Sequence, residues 1–339
     1  MNIPNFEEIP LVRTSTRTDF ARCLFQWDLK WNNNFIPLED RAPLVFGTNV
    51  HKCFEHWYKP GIKRGVHPAI TWEALWEEQE AGWNIMADDN WADARELGKH
   101  LMEDYVKFYG KEPHYESIWA EQPFEILLLR DGEPICIYCG TFDGIGYDHD
   151  ENHYIIQEHK TAAAINTNHL VLDEQANSYW ALSEPWLNQM YDEEAELSHI
   201  LYNYVRKGKR DDRPTDKQGR SLNKDGSVSK KQPVPRFYRE RIFRGPWERA
   251  KVLHRIESQV LAMHAFADGD LPLYKAPADY CSWCDFNQVC EVEESDGDWE
   301  EMLEMAFSQE TDMFVHHRDS LEQIDDLDDL VQIEISEYE

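Results

Sequence analysis

The sequence predicts an α/β fold, because helical and strand periodicities alternate along the chain. Residues 15–31, the stretch after a predicted turn at Gly47, and residues 71–109 show helical spacing of apolar residues. From residue 118 the pattern changes to strand-like runs separated by turns: IWAEQPFEILLL, ICIYCGTFDGIGY and HYIIQEHKT. Helical spacing returns in LDEQANSYWALSEPW, and ELSHILYNYVR predicts a fourth strand. The predicted core therefore runs helix, three strands, helix, strand.

The rest of the chain divides into four segments. A polar stretch at 207–235 has no periodicity and is predicted to be a long mobile loop. A helix is predicted from about Pro246 to Phe266, followed by a cysteine-rich segment. We expect one domain over residues 1–290 and an acidic tail over residues 291–339.

Charge is distributed unevenly along the chain. The formal net charge of −31 argues against nonspecific nucleic-acid binding by the whole surface. Residues 291–339 hold 19 acidic residues and one arginine, whereas residues 206–244 hold 14 basic and 5 acidic residues. An acidic tail and a basic segment therefore coexist on one chain.

The composition predicts a soluble protein with a substantial core, since 42% of the residues are hydrophobic. No apolar run is long enough to cross a membrane. The start, MNIPNFEEIP, lacks the basic and apolar regions of a signal peptide. We therefore expect a cytoplasmic protein without a membrane partner.

Two carboxylates and an ammonium are predicted to meet near the middle of the chain. Glu158 and Lys160 share a strand face because side chains two residues apart point the same way. Asp143 lies on the preceding strand, where antiparallel pairing can bring it beside Glu158. Two adjacent carboxylates repel unless a cation lies between them, and Mg²⁺ suits oxygen ligands. Considered alone, the E-x-K pattern is far more typical of a surface ion pair, because short charged patterns are common.

Four short motifs, in order along the chain, favour the metal interpretation. They are GTNVH, GTFDGI, EHK and QANSY. With these motifs the chain resembles the RecB-like nucleases of the PD-(D/E)XK superfamily. The resemblance covers roughly residues 15–205 and the cysteine segment. It implies a restriction-endonuclease-like core with helical insertions.

The resemblance also implies roles for individual residues. It assigns Mg²⁺ or Mn²⁺ binding to His51, Asp143, Glu158 and the backbone carbonyl of His159. It assigns catalysis to Lys160 together with Asp143 and Glu158, and places Gln175 and Tyr179 near the site and the DNA. Glu121, on the first predicted strand, is either a further carboxylate of the site or a solvated residue.

The seven cysteines indicate metal chemistry rather than a disulfide framework, since their number is odd and no secretion signal precedes them. CSWCDFNQVC places Cys281, Cys284 and Cys290 within ten residues, and Cys23 is the natural fourth ligand. One subgroup of RecB-like nucleases, which includes AddB and CRISPR-associated exonucleases, shares this layout. The resemblance implies a [4Fe-4S] cluster, although four thiolates also suit zinc. The residue after Cys23 is leucine, where the subgroup often has proline.

The other three cysteines are expected to pack in the core. Cys136 and Cys139 lie three residues apart on a predicted strand, so their side chains point to opposite faces and cannot easily chelate together. Cys53 is expected to be a buried packing residue as well.

The basic segment is predicted to contact DNA. RKGKR and RFYRERIFRG are suited to phosphates, and the interleaved aromatic residue is suited to exposed bases. The DNA-contacting candidates are Arg236, Tyr238 and Arg239. Between Lys217 and Lys231 a solvated loop is an equally good interpretation. For the acidic tail three interpretations stay open: disorder, recruitment of a protein partner, and competition with DNA.

Together these features predict a Mg²⁺- or Mn²⁺-dependent deoxyribonuclease. We expect an exonuclease that hydrolyses phosphodiester bonds at linear DNA ends, in recombination, replication or repair. A DNA-binding scaffold subunit of a recombination complex is one alternative. A zinc-binding interaction protein with an acidic tail is another.

Overall fold

A central seven-stranded sheet organises the chain. The computed structural model describes residues 9–38, 42–82, 89–324 and 326–338. Its strands are β1 (Leu11–Val12), β2 (Phe35–Pro37), β3 (Tyr115–Arg130), β4 (Glu133–Asp148), β5 (His153–Ala162), β6 (Leu197–Arg206), β7 (Phe237–Phe243), β8 (Phe307–Gln309) and β9 (Val331–Glu334). Its helices are α1 (Thr14–Arg22), α2 (Leu24–Trp27), α3 (Ala42–Trp57), α4 (Pro68–Gly82), α5 (Asp89–Tyr109), α6 (Glu174–Met190), α7 (Pro246–Ala267), α8 (Asn287–Glu294), α9 (Trp299–Ala306) and α10 (Val315–Leu321).

The sheet is mixed, with the order β7–β6–β5–β4–β3–β9, and β1 pairs in parallel with β4. β3, β4 and β5 are antiparallel neighbours, as the tight turns between them predict. β5 and β6 are parallel and are connected through α6, whereas β7 is antiparallel to β6. The predicted order of helix, three strands, helix and strand is confirmed.

Helices cover both faces of the sheet. On one face, α6 and α7 pack against side chains such as Ile145 and Ile156. On the other face, α3, α4 and α5 pack against side chains such as Ile155 and Leu201. The neighbours Ile155 and Ile156 face different layers, as the two-residue period of a strand requires. No helix in the described ranges is long and apolar enough to cross a membrane.

Cys136 and Cys139 lie on opposite faces of β4, as predicted. Cys136 belongs to the cluster beneath α6 and α7, whereas Cys139 packs with Leu127 and Phe314 on the other face. Burial raises the pKa of Cys139 to about 12, so its thiol is protonated at neutral pH. Both cysteines, and the buried Cys53, are therefore packing residues.

The turn predicted at Gly47 is wrong, because α3 runs through this position from Ala42 to Trp57. Gly47 instead marks the contact between α3 and β5. A Cβ atom at Gly47 would lie 3.5 Å from the hydroxyl oxygen of Thr161, at ordinary van der Waals distance. Sequence alone does not distinguish a glycine in a turn from one at a helix–strand contact.

The segment 207–235 contains turns and isolated bridges, with no helix or regular strand, as predicted. Thr215 bridges Ser221, and Leu222 bridges Val228. Arg213 contributes further contacts, donating to Asp211 and Ser229. Side chains thus tie the loop to itself, and its mobility stays a prediction.

The chain beyond residue 290 folds onto the rest of the protein, which corrects the expectation of a separate acidic tail. β9 pairs in parallel with β3, from Ile126↔Val331 to Leu129↔Glu334. β8 pairs antiparallel with β2, near the N-terminus. Apolar residues of this segment, including Phe314 and Leu330, pack against the sheet. The acidic residues directed the prediction towards a tail, whereas the apolar residues between them determine the fold.

This packing predicts that the C-terminal segment stabilises the whole domain. Ile333 of β9 is 2% exposed, so Ile333→Ala should lower the free energy of unfolding by about 2–5 kcal/mol in urea denaturation. Val315 of α10 is 48% exposed, and Val315→Ala is the matched control, with a change within about 0.5 kcal/mol. Equal stability of the two variants would show that β9 is not part of the cooperative unit.

Candidate metal centre

The predicted site lies where β4 and β5 separate. Their pairing ends at Gly144↔Gln157, and beyond this point β5 continues beside β6 alone. In the gap, the backbone N–H of His159 donates to Asp143 Oδ2 at 2.7 Å. A carboxylate thus takes the place of a backbone carbonyl, and it holds Asp143 beside Glu158.

Three carboxylates lie in one row across the strands. Ala120↔Gly144 and Gln122↔Phe142 place Glu121 opposite Asp143, and the register of β4 and β5 places Asp143 opposite Glu158. Glu121 adopts a φ of +48°, in the left-handed region that non-glycine residues rarely occupy. The backbone at Glu121 is therefore held in an unusual conformation at this point of the row.

His51 of α3 contacts two of these three carboxylates. Its Nδ1 lies 2.9 Å from Glu121 Oε1 and 3.5 Å from Asp143 Oδ1. One ligand atom from each of these three residues lies within 4.8 Å of the other two. Sequence reasoning left Glu121 open between a site residue and a solvated one, and the structure places it at the centre.

Glu158 lies next to this trio and is bound by Lys160. Lys160 Nζ lies 2.6 Å from Glu158 Oε1 and 2.7 Å from Gln175 Oε1. Glu158 is 1% exposed, and its other oxygen, Oε2, has no hydrogen-bond partner among the described residues. A buried carboxylate oxygen without a partner is costly, so this atom indicates room for a cation or a polar ligand.

The carboxylates are held in an unfavourable electrostatic state. Burial raises the pKa of Asp143 to about 6, with the charge of Glu121 adding to the rise and His51 opposing it. Burial and the charge of Asp143 raise the pKa of Glu158 to about 7, against the effect of Lys160. A positive charge between these groups would reverse both shifts.

The two basic groups of the site are charged at neutral pH. Burial lowers the pKa of His51, but Asp143 and Glu121 outweigh it and raise the value to about 9. Burial likewise opposes the charge of Lys160, but Glu158 and Asp143 raise its pKa above the usual range. Lys160 therefore holds an ammonium beside Glu158 at neutral pH.

Gln175 and Tyr179 lie beside the site on α6. Gln175 accepts a hydrogen bond from Lys160 and also bonds the hydroxyl of Tyr179. Both residues line a cavity of about 850 Å³ together with Asp143, Arg13 and Lys30. The structure thus brings the predicted pair to the open side of the centre.

Of the three residues predicted to contact DNA from the basic segment, Arg239 has its guanidinium bonded inside the protein. Its side chain is 18% exposed and is bonded to Glu112 and to the hydroxyls of Tyr58 and Tyr105. Its guanidinium carbon lies 3.9 Å from the ring centroid of Tyr109. The strand period turns this residue inward, so its charge is paired with Glu112 and a DNA contact stays a prediction.

Tyr238 is placed more openly, whereas the Arg236 side chain is about as exposed as that of Arg239. Tyr238 is 39% exposed and lies in register with Tyr204, which lies in register with Lys160. The phenol therefore shares the face of Lys160, two strands away, at about 10 Å. Arg236 and Arg210 both bond Asp104, so this cluster has a net positive charge.

The four predicted cysteine ligands come from opposite ends of the chain to one place. Cys23 lies between α1 and α2, Cys281 lies in the 3₁₀ turn Asp279–Trp283, and Cys290 lies in α8. The Tyr280 hydroxyl lies within hydrogen-bond reach of the Arg22 carbonyl and therefore fixes the turn beside Cys23.

The cysteine thiols influence one another electrostatically. Burial raises the pKa of Cys284 to about 11, and the charges of Cys290 and Cys23 add to the rise. Burial and the nearby charges of Cys23 and Cys281 likewise raise the pKa of Cys290, against the effect of Lys275. These mutual effects indicate that the four sulfurs lie near one another. In the described part of the chain, however, no three cysteine sulfurs meet the 4.8 Å spacing met by His51, Glu121 and Asp143.

The donors around Asp143 fit a hard divalent cation. They comprise carboxylate oxygens, one imidazole and a buried oxygen without a partner, as Mg²⁺ and Mn²⁺ sites require. His51, Asp143 and Glu121 meet the spacing directly, whereas Glu158 lies outside it, bonded to Lys160.

Comparison with known proteins places this arrangement in a family. The chain has no match among curated proteins. A solved structure, "Putative exonuclease" from Eubacterium rectale, is similar at 13% identity and a TM-score of 0.45, covering 80% of this chain and 86% of the other. The family model of the PD-(D/E)XK nuclease superfamily matches residues 14–291. The chain therefore belongs to the PD-(D/E)XK nuclease superfamily, and the predicted fold class is confirmed.

Proposed function

We propose that the protein is a Mg²⁺- or Mn²⁺-dependent deoxyribonuclease that acts as an exonuclease at DNA ends. One observation carries the proposal. Asp143, Glu158 and Lys160 meet in the gap between β4 and β5, where burial leaves the carboxylates in need of a cation. A scaffold protein has no use for this costly arrangement, which supports catalysis over a purely structural role.

The proposed metal ligands are His51, Asp143, Glu158 and the backbone carbonyl of His159. Glu121 joins them as a further carboxylate, because it bonds His51 directly. When bound, a divalent ion supplies Lewis-acid chemistry: it lowers the pKa of water and neutralises phosphate charge. His51 must lose its proton on binding, since an imidazolium has no free lone pair to offer.

Lys160 is proposed to stabilise negative charge that develops on the scissile phosphate. Its ammonium is permanently charged, and two acceptors hold its position, Glu158 Oε1 and Gln175 Oε1. A preorganised cation in a site shielded from water stabilises a transition state without reorganisation. Gln175 therefore acts through Lys160 as well as lining the cavity.

DNA is proposed to approach from the cavity beside α6. Gln175 and Tyr179 line it next to Asp143. Arg13 and Lys30 line it as well, with Lys30 paired with Asp19, and so do the carboxylates of Asp173 and Glu174. Tyr238, on the same sheet face, offers an exposed ring on which a base can stack. Arg236 belongs to a cluster with net positive charge that suits a phosphate.

The four cysteines are proposed to hold a [4Fe-4S] cluster, with zinc as the alternative. The resemblance of the cysteine layout to the Fe–S subgroup favours the cluster, whereas four thiolates suit tetrahedral zinc equally well. Either group would join Cys23 near the N-terminus to the segment around Cys284.

The biological setting proposed for this activity is the processing of DNA ends in recombination, replication or repair, inside the cytoplasm. A protein partner for the C-terminal segment is part of the same proposal. The segment presents acidic side chains outward while its apolar residues pack inward.

The proposal is tested with end-labelled linear DNA and closed circular DNA, incubated with Mg²⁺ or Mn²⁺. Linear DNA should be degraded, circular DNA spared, and a chelator should abolish cleavage. Equal cleavage of the circle would contradict action at ends and leave an endonuclease. The absence of any cleavage with either metal, in folded protein, would contradict the nuclease proposal.

Two variants should separate metal binding from chemistry. Lys160→Ala should retain Mn²⁺ affinity in calorimetry while single-turnover cleavage falls by roughly two to three orders of magnitude, as for the loss of one transition-state stabiliser. Asp143→Ala should lose both Mn²⁺ binding and cleavage. Undiminished cleavage by Lys160→Ala at saturating Mn²⁺ would reduce its contact with Glu158 to a structural ion pair.

Metal affinity should rise with pH, because Mn²⁺ and protons compete for the same atoms. The pKa values of Asp143 and Glu158, raised to about 6 and about 7, place these groups in the protonated form at pH 5.5. From pH 5.5 to 7.5, the dissociation constant for Mn²⁺ should fall by at least about tenfold. The Mn²⁺-induced rise in Tm should be larger at the higher pH. An affinity independent of pH over this range would contradict binding through these carboxyls.

Anaerobically purified protein should be brown and contain iron and labile sulfide. Cys23→Ser should lose both and unfold at lower urea concentration, because the metal group ties distant segments together. Cys136→Ser, at a buried cysteine outside the cluster, is the control and should retain iron. Stoichiometric zinc without iron would overturn the Fe–S assignment while keeping the four ligands.

A further inference from the structure

A continuous chain of hydrogen-bonded polar side chains lies against β5, on the sheet face opposite Lys160, and is buried except for part of Arg239. It runs from Glu112 through Arg239 and Asn203 to His159. Asn203 is fully buried, and His159 is 2% exposed. Sequence reasoning assigned Arg239 to DNA and considered only the backbone carbonyl of His159, so neither side chain has a role in the activity proposed above.

The direction of every hydrogen bond in this chain follows from its two ends. Arg239 can only donate, and the carboxylate of Glu112 can only accept. Tyr58 therefore donates to Glu112 at 2.8 Å, and Tyr105 donates to Tyr58 at 2.8 Å. Both hydroxyl oxygens accept from Arg239 at 3.0 Å.

These directions fix the orientation of the Asn203 amide. Arg239 Nε donates to Asn203 Oδ1 at 3.3 Å, so Oδ1 must face the guanidinium. The two hydrogens of Asn203 Nδ2 then go to Tyr105 at 2.8 Å and to His159 Nδ1 at 3.1 Å. Since Nδ1 accepts, the ring proton of His159 lies on Nε2.

The His159 ring is also held by packing. It stacks on Tyr58, the residue that follows α3, with ring centroids 6.0 Å apart and an angle of 17° between the rings, and it contacts Phe54 of α3. α3 is the helix that carries His51. The backbone of His159, between Glu158 and Lys160, donates to Asp143. Through His159, the hydrogen-bond chain therefore reaches three parts of the metal centre: α3, which carries His51, the segment of β5 that carries Glu158 and Lys160, and Asp143 of β4.

We propose that Asn203 and Arg239 are positioning residues for the metal centre, acting through the side chain of His159. They hold the imidazole in one orientation, and this orientation holds the backbone N–H of His159 against Asp143 and its carbonyl towards the site. The proposal rests on the proposed function, since it gives that function its supporting shell. Partners of this kind typically change metal affinity or activity by about 10- to 100-fold.

The first test needs no metal and no DNA. In protein labelled with ¹⁵N-histidine, His159 should show the Nε2–H tautomer, identified by comparison with His159→Gln. Asn203→Asp replaces the donating amide with an acceptor, so it should convert His159 to the Nδ1–H form. An Nδ1–H tautomer in the unmodified protein would overturn the hydrogen-bond chain.

The second test measures the metal centre. Asn203→Leu should weaken Mn²⁺ binding by about 10- to 100-fold in calorimetry. Its cleavage rate at low Mn²⁺ should fall and recover as Mn²⁺ is raised, while DNA affinity in chelator stays unchanged. Arg239→Met should weaken Mn²⁺ binding by a similar factor. Arg239→Lys should recover little of that affinity, because an ammonium lacks the planar fork of a guanidinium.

The control is His199→Leu, which removes another buried polar side chain from the same face of β6. It should keep Mn²⁺ affinity within about twofold even where it lowers Tm as much as Asn203→Leu does. Equal losses of affinity in both variants would reduce the chain to a stabilising role. Folded Asn203→Leu with unchanged Mn²⁺ affinity would also overturn the proposal.

The two proposals can fail separately. Absence of Mn²⁺ binding and cleavage in the unmodified protein would refute the nuclease proposal, while the histidine tautomer would still report on the buried chain. A functional nuclease whose Asn203 and Arg239 variants match the control would refute only the positioning role.

Discussion

The repulsion between buried carboxylates is the constraint on which the site depends. Asp143 and Glu158 lie side by side because β4 and β5 stop pairing after Gly144 and Gln157. The neighbouring groups offset the negative charge of these two carboxylates: His51 and Lys160 carry protons, and the His159 backbone N–H donates to Asp143. A fold optimised only for stability would replace such a pair with apolar residues. The sheet instead keeps the pair in place, since its central strands are covered by helices on both faces.

The order of helices and strands could be predicted because the spacing of apolar residues differs clearly between a helix and a strand. The meeting of Asp143, Glu158 and Lys160 also followed from the two-residue strand period and one hairpin. Arg239 shows where that reasoning ends: in RFYRERIFRG, composition indicated a DNA contact, but depth below the surface depends on the helices that pack over β7. One signal was available, since Asn203 is a polar residue inside the apolar strand ELSHILYNYVR. Its partners come from α5, β5 and β7, and no local sequence pattern predicts them.

The C-terminal segment shows a different limit. Its charge predicted a separate tail, because 19 acidic residues outweigh the scattered apolar ones in composition. The apolar residues nevertheless occur at intervals that allow Val331 and Ile333 to join the sheet and Phe314 to cover it. The family model ends at residue 291, close to the predicted boundary, whereas the sheet extends past it. A boundary in sequence similarity and a boundary in folding are therefore different things in this protein.

The parallel pairing of β9 with β3 has a consequence for the protein during its synthesis. Val331 is the partner of Ile126, about two hundred residues earlier in the chain. At about 5–20 residues per second, β3 leaves the ribosome roughly 10–40 seconds before the strand that covers its edge. Through that interval, an unpaired strand edge and the apolar face beneath Phe314 are open to other chains. The nascent protein is therefore exposed to aggregation until β9 has emerged and paired, and chaperone dependence should concentrate in that window.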